Sequence, residues 1–281
     1  MSYFKNTHTI ITGAGSGMGR QMTLQAAQRG ANVIAVDYNA ATLQETQGLA
    51  IAAGLHITTK VLDVSDSDQI NAFAAEVTPT FNKGRLVLIN NAGVSIFTGN
   101  FEHTPLEDFE WLISINMWGV VRMTKAFYPY FLEHNNGHIV NISSVFGLGG
   151  VEGNSAYCTS KFAVRGFTET IRMELADSNV GTTCVHPGGV KTNIVRNQVP
   201  KGGHTNEEML EKVTKKFDEK ARTTPESAAK QILDAVEKRK LRLVIGPDGK
   251  MLDFVTRLLP SGYTNIVRKK AKKSFGEPFK K

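Results

Sequence analysis

With 281 residues, 41% of them hydrophobic and 21% charged, the chain can bury a substantial core, and it has neither a low-complexity tract nor an internal repeat. It contains no run of about 18 apolar residues, which argues against a membrane-spanning helix, and the first apolar run, Thr9-Ile10-Ile11, starts too early to leave room for a signal peptide. The formal charge of +7 is concentrated in Arg268–Lys281, which holds seven Lys/Arg against one Glu, so the rest of the chain is nearly neutral and a nucleic-acid partner is disfavoured.

From the N-terminus, β-rich apolar runs fall at Thr9–Thr12, Val33–Asp37, Thr58–Asp63, Leu86–Asn90, His138–Ser143, Thr182–His186 and Leu241–Ile245. Their apolar character is continuous rather than alternating, as in parallel strands buried on both faces. Helical patterns fill the gaps at Gly17–Arg29, Ala40–Ala53, Ser67–Val77, Glu107–His134, Ser155–Ser178 and Pro225–Arg239. This alternation predicts an α/β fold: a doubly wound, Rossmann-type sheet of about seven parallel strands with helices on both faces, in a single domain over residues 1–249. Residues 192–224 break the rhythm and read as an insertion over the sheet's carboxyl edge. Residues 250–281 form an amphipathic and basic extension. Cys158 and Cys184 make no CxxC pair and suit a reducing cytosol, so a cytoplasmic location is expected. No metal site is expected: His134 and His138 have i,i+4 spacing, but Asn135-Asn136-Gly137 between them ends the helix.

Gly13, Gly15, Gly17 and Gly19 lie between the first strand and the first helix, where glycines let the backbone approach a pyrophosphate held by free N–H groups at the helix N-terminus. Asp37 ends the second strand, where a carboxylate can accept bonds from both ribose hydroxyls and repels a 2′-phosphate; no Arg or Lys follows at Tyr38 or Asn39. NAD is therefore expected over NADP. Asp63, in Leu62-Asp63-Val64, has two readings: a contact to the adenine, or an ordinary helix N-cap. Further along, Tyr157 and Lys161 are four residues apart on a predicted helix and share a face. A cation beside a phenol favours the phenolate, and Ser144 and Tyr157 can both donate to one substrate oxygen. The arrangement suits an acid/base pair for hydride-transfer chemistry.

With these motifs the sequence resembles the short-chain dehydrogenase/reductase family over nearly the whole chain to about residue 246. Thr12-Gly13-Ala14-Gly15-Ser16-Gly17-Met18-Gly19 fits TGxxxGxG, Asn90-Asn91-Ala92-Gly93 fits NNAG, and Asn116 stands at the family's helix asparagine. Ser144 fits the family serine, Tyr157 and Lys161 the YxxxK pair, and Pro187-Gly188-Gly189-Val190-Lys191-Thr192 fits PGxVxT. The resemblance implies a catalytic set of Asn116, Ser144, Tyr157 and Lys161, with Lys161 also bonding the nicotinamide ribose. It implies that Asn116 bends its helix and holds a proton-relaying water. It implies cofactor contacts from Gly13, Ser16, Gly17, Met18, Gly19, Asp37, Asp63, Val64, Asn91, Ala92, Gly93, Tyr157, Lys161, Pro187, Gly188, Val190 and Thr192. Ser95, Phe97, Phe146, Leu148, Val151 and Val190 lie in or beside the motifs expected to line an apolar substrate pocket.

The expectation is an NAD-dependent oxidoreductase that interconverts a small-molecule secondary alcohol and its ketone. The alternatives are an NADPH-type acyl-thioester ketoreductase of the same family and a non-catalytic dinucleotide-binding sensor or scaffold. The resemblance further suggests a homodimer or homotetramer built on the helices Glu107–His134 and Ser155–Ser178. In the extension, Met251, Leu252, Phe254, Val255, Leu258 and Leu259 share an apolar face, Pro260-Ser261-Gly262 breaks the helix, and a basic segment follows. Either that face packs on the body or a sister subunit, or it makes a weak peripheral contact with an anionic membrane.

Overall fold

The structure is a computed structural model that describes residues 2–96, 98–198 and 207–275, with side chains to residue 270. Seven strands, β1 (His8–Thr12), β2 (Asn32–Asp37), β3 (Ile57–Val61), β4 (Leu86–Asn90), β5 (Gly137–Ile142), β6 (Val180–Pro187) and β7 (Arg242–Ile245), form one sheet in the order β3-β2-β1-β4-β5-β6-β7. Every pairing is parallel. All seven predicted strands are present. The third ends at Val61, so Asp63 lies beyond it rather than closing it.

The sheet is covered on both sides, which is why its strands read as continuous apolar runs. Successive side chains point to opposite faces. Ile11, Val33, Val87, Val140 and Val185 pack toward α1 (Gly17–Gln28) and α8 (Pro225–Glu237), meeting Met22, Ala26, Ile232 and Leu233. Ile10, Val36, Leu88 and Ile139 face α3 (Ser67–Val77) and α5 (Gly119–His134), meeting Ile70, Phe73, Phe127 and Phe131. Phe127 is fully buried, with its ring centroid 5.8 Å from Phe73 in an edge contact and 6.5 Å from Phe81. Caps fix several helix starts. Asn39 accepts from Thr42 N–H at the start of α2 (Ala40–Ala52), Asp66 accepts from Asp68 and Gln69 N–H at α3, and Thr224 accepts from Ser227 N–H at α8.

The strand order reverses between β1 and β4, which opens a crevice at the carboxyl edge where such sheets bind ligands. The stretch expected as one helix, Glu107–His134, is interrupted. α4 (Leu106–Ile113) passes through a π-turn at Ser114–Trp118 before α5 begins. Single π-turns inside helices are frequent at functional sites. Here the turn carries Asn116, whose side chain bonds to a neighbouring loop.

Helix α6 (Ser155–Glu174) follows β5, and α7 (Glu207–Lys220) lies within the predicted insertion. The insertion returns to the body through a parallel bridge of Thr223 with Val190. The extension forms α9 (Pro247–Leu258) and α10 (Tyr263–Phe275), separated at the predicted break. Its apolar face is divided. Leu252 and Val255 are half-buried, whereas Met251, Phe254, Leu258 and Leu259 are exposed, and Lys270 Nζ lies 2.9 Å from Met251 Sδ. Among the described residues no helix is long and apolar enough to cross a membrane.

Candidate active site

The predicted motifs converge on the carboxyl edge because each occupies the loop that leaves a strand of a parallel sheet. The glycine turn follows β1, Asp37 ends β2, Asn91–Gly93 follow β4, Ser144 follows β5, and Pro187–Thr192 end and follow β6. The loops are cross-linked. Thr12 Oγ1 accepts from the N–H groups of Asn91 and Ala92 at 2.9 and 3.0 Å, and Asn91 Nδ2 donates to Thr12 O at 2.9 Å.

The glycine turn fits a dinucleotide. Gly13 and Gly17 have φ of +67° and +52°, a left-handed backbone that other residues rarely adopt. A Cβ at Gly13 would meet Ala92 Cα at 2.9 Å, and one at Gly19 would collide with the Gly13 carbonyl. Ser16 caps α1 with extended backbone but no side-chain bond, and the first turn carries no acidic residue, so the N–H groups there can meet a pyrophosphate. Thr192 packs against this turn: a Cβ at Gly17 would lie 3.2 Å from Thr192 Cγ2. Met18 is half-buried against the core beneath it. Asp37 Oδ2 accepts from Gly15 N–H at 2.8 Å and Oδ1 from Asn39 N–H at 3.0 Å, which holds the carboxylate beside the glycine turn.

Asp63 Oδ1 accepts from Ser65 N–H and Oγ at 2.8 and 2.7 Å, so it shapes a turn, while Asp66 is the cap of α3. Val64 packs under the start of α5, where a Cβ on Gly119 would meet its Cγ2 at 2.9 Å.

The candidate catalytic side chains are neighbours. Tyr157 and Lys161 lie on α6, with Lys161 Nζ 5.5 Å from the centroid of the Tyr157 ring. Lys161 is buried and donates to Ile142 O at 3.1 Å. A Cβ on Gly93 would lie 3.2 Å from Asn116 Oδ1 and 3.4 Å from Lys161 Nζ, which brings the loop after β4 to the same point. Asn116 is fully buried; its Oδ1 accepts from Val94 N–H at 2.8 Å, and its Nδ2 donates to Val94 O and Ser160 Oγ at 2.9 and 3.3 Å. Burial pushes the Tyr157 phenol up to about 12, offset in part by the nearby Ser144 hydroxyl. Burial also pulls the Lys161 ammonium down to about 8. Desolvation of both groups therefore outweighs the lowering of the phenol expected from the lysine charge.

The expected pocket residues separate into three situations. Phe146 packs edge-on against Tyr157 with ring centroids 5.9 Å apart, and buried Leu148 and half-buried Val151 follow in the same loop. Ser95 Oγ accepts from Gln198 Nε2 at 2.5 Å, joining the loop after β4 to the insertion. Val190 belongs to the core cluster under the sheet edge, so it props the loop from below. Phe97 lies outside the described residues.

Several supporting residues carried no sequence motif. Thr46 Oγ1 donates to Ala14 O at 3.0 Å, and Arg20 bonds Thr46 Oγ1 at 3.0 Å and the Gly15 carbonyl, bracing the glycine turn from α2 and α1 respectively. Ser143 Oγ donates to Lys161 O at 2.7 Å, tying α6 to β5. His186 Nδ1 lies 3.1 Å from Ser144 O and fixes the backbone of the candidate serine.

A family model described as short chain dehydrogenase matches residues 7–202. The chain is 40% identical over 269 residues to the putative oxidoreductase SadH of Mycobacterium tuberculosis, covering 95% of this chain and 96% of that protein. Among solved structures it is similar to a short chain dehydrogenase/reductase from Burkholderia phymatum in complex with NAD, with TM-score 0.80, 26% identity and coverage of 96% and 97% of the two chains. It is also similar to a metagenomic short-chain oxidoreductase in complex with NADP, with TM-score 0.63, 30% identity and coverage of 66% of this chain and 83% of that one.

Proposed function

The chain belongs to the short-chain dehydrogenase/reductase family, and from that premise we propose that it is an NAD-dependent enzyme interconverting an apolar secondary alcohol and its ketone. One observation carries the reading: Ser144, Tyr157 and Lys161 stand together at the same sheet edge as the glycine turn, where the N-terminus of α1 has no side-chain cap. A bound nicotinamide dinucleotide supplies the hydride acceptor for oxidation and the donor for reduction. The glycine turn and the N-terminus of α1 hold its pyrophosphate, Asp37 its adenosine ribose, Asp63 and Val64 border its adenine, and Asn91–Gly93 and Pro187–Thr192 border its nicotinamide half.

Ser144 donates to the substrate oxygen and orients it toward Tyr157. In oxidation the Tyr157 phenolate takes the hydroxyl proton; in reduction the phenol returns it to the developing alkoxide. Lys161 stabilises the phenolate by its charge and can bond the nicotinamide ribose. The Asn116 side chain is engaged with Val94 and Ser160, so it positions the loop after β4 beside Lys161.

The Asp37 charge supports NAD over NADP. Phe146, Leu148 and Val151 support an apolar substrate. The exposed Trp111 and Trp118 around the π-turn and the exposed Phe162 on α6 support a homo-oligomer built on these helices. The test is formation of reduced cofactor from a panel of secondary alcohols, short aliphatic to steroid-like, with NAD+ and NADP+ in parallel. Turnover is expected with NAD+ and with the bulkier apolar alcohols. Equal or better kcat/KM with NADP+ overturns the cofactor assignment, and silence with NAD+ bound moves the assignment to a sensor without turnover.

A further inference from the structure

The chain beyond β7 grips both walls of the candidate site. Gly246, with φ of +86°, turns the chain out of β7 into Pro247-Asp248-Gly249 at the start of α9. There Asp248 Oδ2 accepts from Gly189 N–H at 2.7 Å, while Gly188 N–H donates to Ile245 O at 2.9 Å. The carboxylate fits between glycines: a Cβ on Gly188 or on Gly246 would come within 2.5 Å of an Asp248 oxygen. Gly188–Gly189 lead directly into Val190–Thr192, the turn that reaches Gly17. Two successive glycines have a wide conformational range, so they hold one geometry only when something outside them imposes it. A charge-assisted bond to a main-chain N–H is a strong device for this.

The second grip is on the loop after β5. Tyr263 Oη accepts from Gly150 N–H at 2.9 Å, and its ring packs so closely that a Cβ on Gly149 would meet Cε2 at 2.9 Å. Arg268 adds an ion pair to Glu152 at 3.5 Å. This loop carries Leu148 and Val151 and leads into Tyr157. The helix between the two grips is pinned to the sheet, because Arg242 on β7 makes a forked pair with Asp253 at 2.9 and 2.6 Å.

We propose that the C-terminal extension is a working part of the active site: Asp248 is a positioning residue for the Gly188–Gly189 turn on the nicotinamide side, and Tyr263 fixes the Gly149–Gly150 loop and so sets which substrates fit. The proposal rests on the dehydrogenase reading. Asp248 acts on cofactor binding and Tyr263 on substrate binding, so one segment governs two separable quantities.

The test uses the full chain with Asp248→Ala, Asp248→Asn and Tyr263→Phe. NADH titration by fluorescence should show about tenfold weaker binding in Asp248→Ala, the size expected for one lost bond to a charged acceptor. Asp248→Asn keeps an acceptor oxygen and should recover most of the loss. Tyr263→Phe should bind NADH as the wild type does, with KM for the preferred alcohol raised several-fold, kcat little changed and the preference among chain lengths flattened. Amide hydrogen exchange reads both grips without cofactor or turnover: it should quicken at Gly188–Gly189 in the Asp248→Ala protein and at Gly149–Gly150 in the Tyr263→Phe protein. Unchanged exchange and unchanged NADH binding and KM overturn the proposal even in an active enzyme. A wild type whose grips are protected but which binds no NADH overturns the dehydrogenase reading instead.

Discussion

At Tyr157 the burial that shapes the site also sets a pH requirement. With the phenol raised to about 12, the phenolate needed to accept a proton is scarce at neutral pH, and its share grows as pH rises. Oxidation should therefore quicken toward alkaline pH and level off once Lys161, lowered to about 8, loses the charge that steadies the phenolate. Reduction needs the protonated phenol and should not share that rise. Initial rates in both directions across pH check this, and oxidation faster at acid than at alkaline pH contradicts it. Asp37→Ala should narrow the gap between NAD+ and NADP+ affinity by weakening the first and admitting the second; titration of both cofactors reads the ratio. The proposed Ser144, Tyr157 and Lys161 could be picked out in the sequence because a motif spacing marks them, and Tyr157 and Lys161 do share one helix, α6. Their supports could not be picked out in this way. His186 holds Ser144, Arg20 and Thr46 hold the glycine turn, and Asp248 holds Gly189. These contacts join residues distant in the chain, and no local pattern announces them.

Strand and helix order was readable because a parallel sheet covered on both sides writes a simple pattern: short apolar runs alternating with amphipathic stretches. The π-turn at Ser114–Trp118 left no such mark, since one extra residue barely disturbs helical periodicity. Nor could periodicity reveal that the apolar face of α9 is only partly covered by the body. Two buried histidines of the central strands give the elements their own pH dependence. His138 on β5 and His186 on β6 are held neutral by burial, lowered to about 3 and about 4. Both bind protons more readily when unfolded, near pH 6.5, so the stability they contribute is complete above that value. It falls as pH drops toward 4, by up to about 1.4 kcal/mol per pH unit for each. Thermal midpoints should decline below pH 6.5, and His138→Gln should flatten the decline; an unchanged midpoint down to pH 5 contradicts this. On the other face of the sheet, Phe127→Ala should destabilise the fold by about 3–5 kcal/mol in denaturant titration, the usual cost of emptying a packed aromatic site. A loss well under 1 kcal/mol would mean that the site between α3 and α5 collapses around the gap.

The molecule as a whole is a near-neutral sheet enzyme with a basic end, and its average charge describes neither part. Part of its exposed aromatic surface lies on α4, the π-turn and α6, where Trp111 and Trp118 are 45% and 47% exposed and Phe162 is 40% exposed. Light scattering should find a dimer or tetramer, and Trp111→Glu should shift it toward monomer; a monomeric wild type contradicts the subunit assignment. The central claim concerns chemistry, and it has a direct test. The preferred secondary alcohol, deuterated at its carbinol carbon, is oxidised with NAD+ by the wild type and by Tyr157→Phe. The account predicts that deuterium passes into the reduced cofactor without dilution by solvent, and that the variant is slower by about 10²–10⁴-fold while still binding NADH. Deuterium lost to water, or a variant as fast as the wild type, would contradict it.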